Sequence, residues 1–470
     1  MVRPISPGLT RMGGALLAGA LAAGILGEFT GLFAFSVLSG AFALSAGAVF
    51  WPGISWTSRA FMIIGLLLVF VSAAFQSDWE PTVLNAVAKG GFIAAFFTAI
   101  NAMRAAASGS EPIVECGRFL AAQPPGRRYL ALTVGGHLFG LILIYGGIAL
   151  LGTLATEAAN KEPDPEIRRH RIRRMLVAIQ RGFVSTLPWS PLSFASAITL
   201  SIVPGASWAA VLPYSLAGVL FFTGIGWALD TIFKPRLTVA PPPRGQAEGG
   251  WGQKMRPLLI LLALLAGTTA VVHVATGVRI VGAVMAIVPL IALIWAAFQA
   301  PGATPDPRYA LSRARSFAFS DMPKLKDQTV LLVMAAFIGT MGGHIAAPLM
   351  AASGIDLTVI PAPVLLVALF WFVPFTGQIG MNPILAVSLI GPLLPAPEAL
   401  GVTPAAMVVA ITSGWALSGA TSPFTASTLL VADFGKVSAR RVGLVWNGPY
   451  TLVCGAFMSA WIAFLAASGF

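Results

Sequence analysis

Four short polar groups interrupt otherwise apolar sequence: Tyr145-Gly146-Gly147, Ser190-Pro191 with Ser193, Asn382-Pro383, and Thr421-Ser422-Pro423 with Thr425. Their chemistry suits a small ion or an anionic solute. Proline removes an amide donor and obstructs the carbonyl one turn back, so a helix breaks there; half-helix N-termini then face an anion and freed carbonyls a cation. Each group also has a packing role to weigh. Ser and Thr glue helices together or bond back to a carbonyl, and Asn before Pro caps a helix start. Three further residues could relay protons: Lys89 in LNAVAKGGF, and His137 and His344, each after a Gly-Gly pair. A lysine inside a span is a functional candidate, although one near its end snorkels to the interface. Histidine titrates in the useful range but more often packs between helices.

Other chemistries lack their residues. Cys116 and Cys454 stand alone, without the spacing of a zinc site or a disulfide framework. There is no HExxH, no GxSxG, no pair of intramembrane aspartates and no GxxxxGK[ST] phosphate loop. Metal hydrolysis, serine chemistry and ATP-driven transport by this chain alone therefore have no carrier, and no organic cofactor is expected.

The elements that must hold these groups are membrane helices. Of 470 residues, 57% are hydrophobic and 10% charged, against about 25% charged in a soluble domain. Apolar runs near the roughly 20 residues of a helical span recur along the whole chain, so the fold class is all-α polytopic membrane protein. The net charge of +12 would suggest nucleic acid in a soluble protein; here its distribution between loops carries the information, and no nucleic-acid partner is expected. The start, MVRPISPGLTR, is read as the flank of a retained span, not of a signal peptide.

Windows bounded by charge, Pro and Gly give apolar segments at 12–27, 30–50, 59–76, 82–103, 129–154, 182–203, 208–232, 257–275, 278–299, 328–350, 361–395, 402–432 and 443–468. Cytoplasmic loops collect Lys and Arg. The loops on both sides of 129–154 are rich in arginine, so that segment should enter and return as a re-entrant hairpin bent at Tyr145-Gly146-Gly147. Both flanks of 361–395 lack Lys and Arg, so it should be a hairpin from the opposite face, bent at Met381-Asn382-Pro383. Eleven spans and two hairpins then place every one of the 29 basic residues inside except Lys89 and Arg279. The expected location is the bacterial inner membrane, with the N-terminus cytoplasmic and the C-terminus outside. The basic run EIRRHRIRRMLVAIQR is expected to lie on the anionic inner leaflet, making membrane lipid a partner.

Residues 1–50 then hold one extra span and the opening span of a first repeat, 30–232. A cytoplasmic linker, 233–256, joins it to a second repeat, 257–470. Each repeat has five spans and one hairpin, and an odd span number inverts the second copy, as in secondary transporters. GGHLFGLILIYGGIALLGTLA echoes FTGQIGMNPILAVSLIGPLLP, and TLPWSPLSFASAITL echoes SGATSPFTASTLLVA. Breaks are expected at Pro188 and Pro191 in the first half, and at Gly414, Gly419 and Pro423 in the second.

This arrangement resembles the ion transporter superfamily, whose best-described branch is the divalent anion/sodium symporters. The resemblance covers nearly the whole chain and implies an elevator-type secondary transporter, usually a homodimer, with substrate between the hairpin tips. Symporters of that branch carry Ser-Asn-Thr at each tip; here the tips read Tyr145-Gly146-Gly147 and Met381-Asn382-Pro383, and only Asn382 matches. The function expected is secondary transport of a small, carboxylate-like anion coupled to a sodium ion or proton. Two alternatives are the large membrane subunit of a tripartite, binding-protein-dependent transporter and a membrane enzyme acting on lipid-linked substrates.

Overall fold

A helix satisfies its own amides and carbonyls in hydrocarbon, and the computed structural model of this chain is built from helices. No strand occurs among the described residues, 5–124, 126–235, 237–238, 250–302 and 304–469. In chain order the helices are α1 (Pro7–Thr30), α2 (Phe33–Phe50), α3 (Trp56–Phe75), α4 (Trp79–Ser108), α5 (Glu111–Ala121), α6 (Arg128–Leu143), α7 (Tyr145–Asn160), α8 (Pro165–Val184), α9 (Phe194–Ile202) and α10 (Trp208–Ile232). There follow α11 (Trp251–Thr276), α12 (Ile280–Phe298), α13 (Pro307–Ser316), α14 (Met322–Lys324), α15 (Lys326–Ala352), α16 (Ala362–Gln378), α17 (Pro383–Ile390), α18 (Pro404–Thr421), α19 (Ala426–Gly435) and α20 (Gly448–Ser468).

Ten stretches among the described residues are long and apolar enough to cross a membrane, counting α18 and α19 together. The chain is thus an all-α polytopic membrane protein. The eleventh expected span, 182–203, is not a continuous helix. Its first part belongs to α8, which begins at Pro165 behind an Asp164 cap (Oδ1 to Ile167 N, 2.9 Å). The basic run is therefore the opening of a broken helix, and every residue of α8 from Met175 onward is buried, so its second half does not lie on a lipid surface. Helix α18 runs unbroken through Gly414 and Gly419, and the chain leaves it only at Ser422. Half of the expected linker 233–256 lies outside the described residues; α11 already begins at Trp251.

The helices fall into two units that cut across the sequence halves. One comprises Met1–Ala107, Leu264–Asp356 and Ile384–Leu394; the other comprises Ser108–Ala263, Leu357–Pro383 and Pro395–Phe470. In the first, small residues bring backbones together. Gly40 of α2 faces the Val87 carbonyl of α4, and Ser39 Oγ lies 2.7 Å from Ala20 O and 3.1 Å from Gly91 O. Without a hydrophobic drive between helices in lipid, this close approach is what holds them.

The second unit is organised around α18, in which every residue from Ala405 to Thr421 is buried. Glycine again sets the contacts. A Cβ on Gly414 would run into the Phe370 carbonyl of α16 and one on Gly443 into the Thr421 carbonyl. Between α6 and α8 the approach is reciprocal: Gly182 faces the Thr133 carbonyl and Gly136 the Ile179 carbonyl. Backbone cannot yield as a side-chain tip can. Gly182→Ala should therefore cost about 2–3 kcal/mol, whereas Gly224→Ala, in α10 with nothing within 4 Å of a Cβ, should be neutral or gain about 0.5–1 kcal/mol of helix propensity. Thermal unfolding of the two purified variants in detergent checks this; equal midpoints would refute it.

Candidate functional site

Both broken helices lie in the second unit and share one local design. After α8 the chain leaves its ladder beyond Ser185, turns through Ser190-Pro191, and restarts as α9 behind Ser193, whose Oγ accepts Ser196 N (3.1 Å). After α18 it turns through Ser422-Pro423 and restarts as α19 behind Thr425. At each break the serine before proline does the same work: Ser190 Oγ accepts Leu192 N (3.2 Å), and Ser422 Oγ accepts Phe424 N (3.2 Å). A hydroxyl thus replaces the partner that proline takes from the turn.

Each break carries a neighbouring helix turn. Helices α6 and α7 meet at Ile144, and Gly147 packs against the Phe139 backbone as the chain reverses. The expected bend at Tyr145-Gly146-Gly147 is shifted one residue: Ile144 itself has φ 53° and ψ −128°, strained for a β-branched side chain. The adjacent Tyr145 ring rests on Phe183 of α8, 5.2 Å between centroids. At the second break, Ser422 Oγ donates to Gly377 O of α16 (2.6 Å) and the Phe424 ring covers Gly380. Here α16 ends at Gln378, Gly380 takes φ 87°, and Pro383 opens α17 with Asn382 immediately before it. The turn thus starts earlier than the expected Met381.

The two breaks are joined through a buried polar cluster. Gln180 Nε2 donates to Gly419 O (3.2 Å) and Thr428 Oγ1 (3.0 Å), and Asn447 Nδ2 donates to Gln180 Oε1 (2.9 Å) and Ala420 O (3.1 Å). Next to Gln180, the Arg181 guanidinium donates to Asn447 Oδ1 (3.0 Å), Tyr129 OH (3.0 Å) and Trp446 O (3.3 Å), and lies 4.3 Å from the Tyr450 ring centroid. Among the described residues no carboxylate pairs with this buried cation. Neutral dipoles and a ring face hold it instead. Two donors beside the breaks have no partner: Trp189 Nε1, and Ser418 Oγ in the last turn of α18. Buried orphan donors are rare.

The sequence-predicted residues divide between the units. Tyr145, Gly146, Gly147, Ser190, Pro191, Ser193, Thr421, Ser422, Pro423, Thr425, Asn382 and Pro383 all belong to the second. So does His137, whose Nδ1 lies 2.7 Å from Ser185 Oγ and whose ring stacks on Trp189. Lys89 and His344 belong to the first. Lys89 sits deeper than its expected place, since α4 starts at Trp79, and His344 Nε2 faces Asp78 Oδ2 (3.1 Å). Several hydroxyls are already engaged: Ser193 Oγ donates to Leu187 O (2.9 Å), and Thr425 Oγ1 to Ser422 O (2.9 Å). Gln180, Arg181 and Asn447 were missed by sequence reading. The available signal was a Gln-Arg pair about two helical turns before the proline break.

Two outcomes are expected. Asn447→Ala leaves Gln180 Oε1 and Arg181 Nε unpaired in a buried site, so unfolding should cost about 2–4 kcal/mol less, read as a lowered thermal midpoint. Ile144→Gly should raise the unfolding free energy by about 1–2 kcal/mol, as the positive φ is relieved, read as a higher midpoint; a fall would show that Ile144 packing outweighs its strain.

No protein-family model and no curated protein matches the chain. Solved structures do. The crystal structure of the Alcanivorax borkumensis YdaH transporter matches with TM-score 0.55 and 15% identity, covering 87% of this chain and 98% of that one. Neisseria gonorrhoeae MtrF, whose structure is described as illuminating a class of antimetabolite efflux pumps, matches with TM-score 0.54 and 14% identity, covering 86% and 94%. The chain therefore has the fold of these two membrane transporters.

Proposed function

We propose that the chain is a secondary active transporter of a small, carboxylate-like organic anion, of the ion transporter type, with the second unit as the moving body of an elevator. The observation that carries this reading is the balance of groups around the two breaks: a buried Arg181 without a carboxylate and two orphan donors, Trp189 Nε1 and Ser418 Oγ. Donors and uncompensated positive charge suit an anion; a cationic solute would need carboxylates. Broken backbone at membrane depth is tolerated only where it is buried in protein or lines a cavity, and intramembrane charge marks a transport path. Carbonyls released at the breaks would hold a sodium ion, and His137 beside Ser185 would serve if a proton is the coupling ion. The likeness to MtrF favours testing export as well as uptake.

Purified protein in liposomes, screened against organic anions under imposed sodium and proton gradients in both orientations, tests the reading. Ser418→Ala removes a donor that has no partner in the resting structure and should keep the thermal midpoint; Trp189→Phe removes the other donor but also trims the ring stacked on His137, so its midpoint should fall modestly. Each should lower the transport rate roughly tenfold, the worth of one hydrogen bond to a charged group. Unchanged transport in both variants, or movement of cations alone, would refute it.

A further inference from the structure

Bordering the Arg181 cluster, with which it shares Tyr129, the second unit contains a cavity of about 210 Å3 lined by Arg128, Tyr129, Glu162, His170, Arg171 and Arg174, with Ile167, Met175 and Leu237 as its apolar wall. Its cations are unequally satisfied. Arg174 is paired fork to fork with a carboxylate, Nε and Nη2 meeting the two oxygens of Asp230 at 2.8 and 2.6 Å. Arg171 is not: its Nε is buried without a partner, and its Nη1 is 3.7 Å from Glu162 Oε2, too long for a hydrogen bond. Arg128 spends its Nε on Gln123 O (2.7 Å) and has no carboxylate partner among the described residues. Burial, with Arg171 and Arg174 alongside, lowers Arg128 to about 10, and burial with Arg169 nearby lowers His170. Cations have been gathered here beyond what Glu162 and Asp230 neutralise.

We infer that this cavity binds a phosphate-bearing anion, with Arg128 and Arg171 as the forks that take its oxygens. Guanidinium pairs recognise phosphate through paired, charge-assisted hydrogen bonds. The apolar wall fits the glycerol and upper acyl carbons of a phospholipid, and the basic loops put this end of α8 at the cytoplasmic face, where anionic lipids concentrate. A soluble phosphate has the same headgroup chemistry, so the test carries both. The inference does not depend on what the breaks transport.

Delipidated protein in detergent is titrated with phosphatidylglycerol or phosphatidylcholine and read by native mass spectrometry; inorganic phosphate is titrated separately and read by thermal midpoint. Phosphatidylglycerol should be retained at roughly tenfold lower concentration than phosphatidylcholine. Arg171→Gln and Arg128→Gln should each abolish that preference, while Arg169→Gln, the same charge change on an exposed residue of α8, should keep it. If the two lipids bind alike but phosphate raises the midpoint of the wild type and not of Arg171→Gln, the anion is a soluble phosphate. Equal behaviour of wild type and Arg171→Gln towards all three probes overturns the inference; should Arg171→Gln fail to fold, Arg128→Gln decides by the same reading.

Discussion

Backbone amides and carbonyls cannot be left unpaired in hydrocarbon, and the second unit depends on how it meets that constraint where two helices are broken. Ser190 and Ser422 each cap the amide two residues on, and Gln180 and Asn447 take the carbonyls of Gly419 and Ala420. The constraint explains the surroundings too. Groups satisfied by so few side chains must be walled off, so α18 is enclosed along its whole length and neighbouring backbones approach over Gly182, Gly136, Gly414 and Gly443. Glycine spacing, serine caps and the buried amides are parts of a single solution.

The polar cluster shows the same economy in its electrostatics. A guanidinium buried in protein is costly unless every side of it is met. Arg181 is met by an amide oxygen, a phenol, a backbone carbonyl and a ring face. None of these partners carries charge, so the positive field of the cation is left unneutralised beside the breaks. Pairing it with an acid would have been simpler for stability and would have cancelled that field.

Much of this was legible in the sequence, for physical reasons that also mark where reading stops. Helical spans show through because lipid demands about 20 apolar residues in a row, and ten of the expected eleven have a matching helix among the described residues. The Ser-Pro pairs were legible because proline acts locally: a break at 188–191 or at 423 follows from the residue itself. Gly414 and Gly419 do not break the helix because glycine in a membrane helix serves close packing as readily as flexibility, and only the neighbour each one faces, the Phe370 carbonyl for Gly414 and the Val184 side chain for Gly419, decides which. The extent of α8 was hidden because its first half is basic, so its helical periodicity and its loop-like charge point opposite ways. Gln180, Arg181 and Asn447 lie at the polar ends of apolar runs, where a side chain that meets solvent and one that turns inward look alike. Partition into two units drawn from both halves rests on contacts far apart in the chain, which no local pattern encodes.

The enclosure of α18 bears on how the protein is made. With α19 it is the least apolar of the ten candidate spans, rich in Gly, Ser and Thr, and it presents no face suited to lipid. A segment of this kind gains little by leaving the insertion machinery alone. Its stable position exists only once α16 has supplied the Phe370 backbone for Gly414 and the later Gly443 has come against the Thr421 carbonyl. Biogenesis must therefore hold this helix until its neighbours on both sides of the sequence are in place.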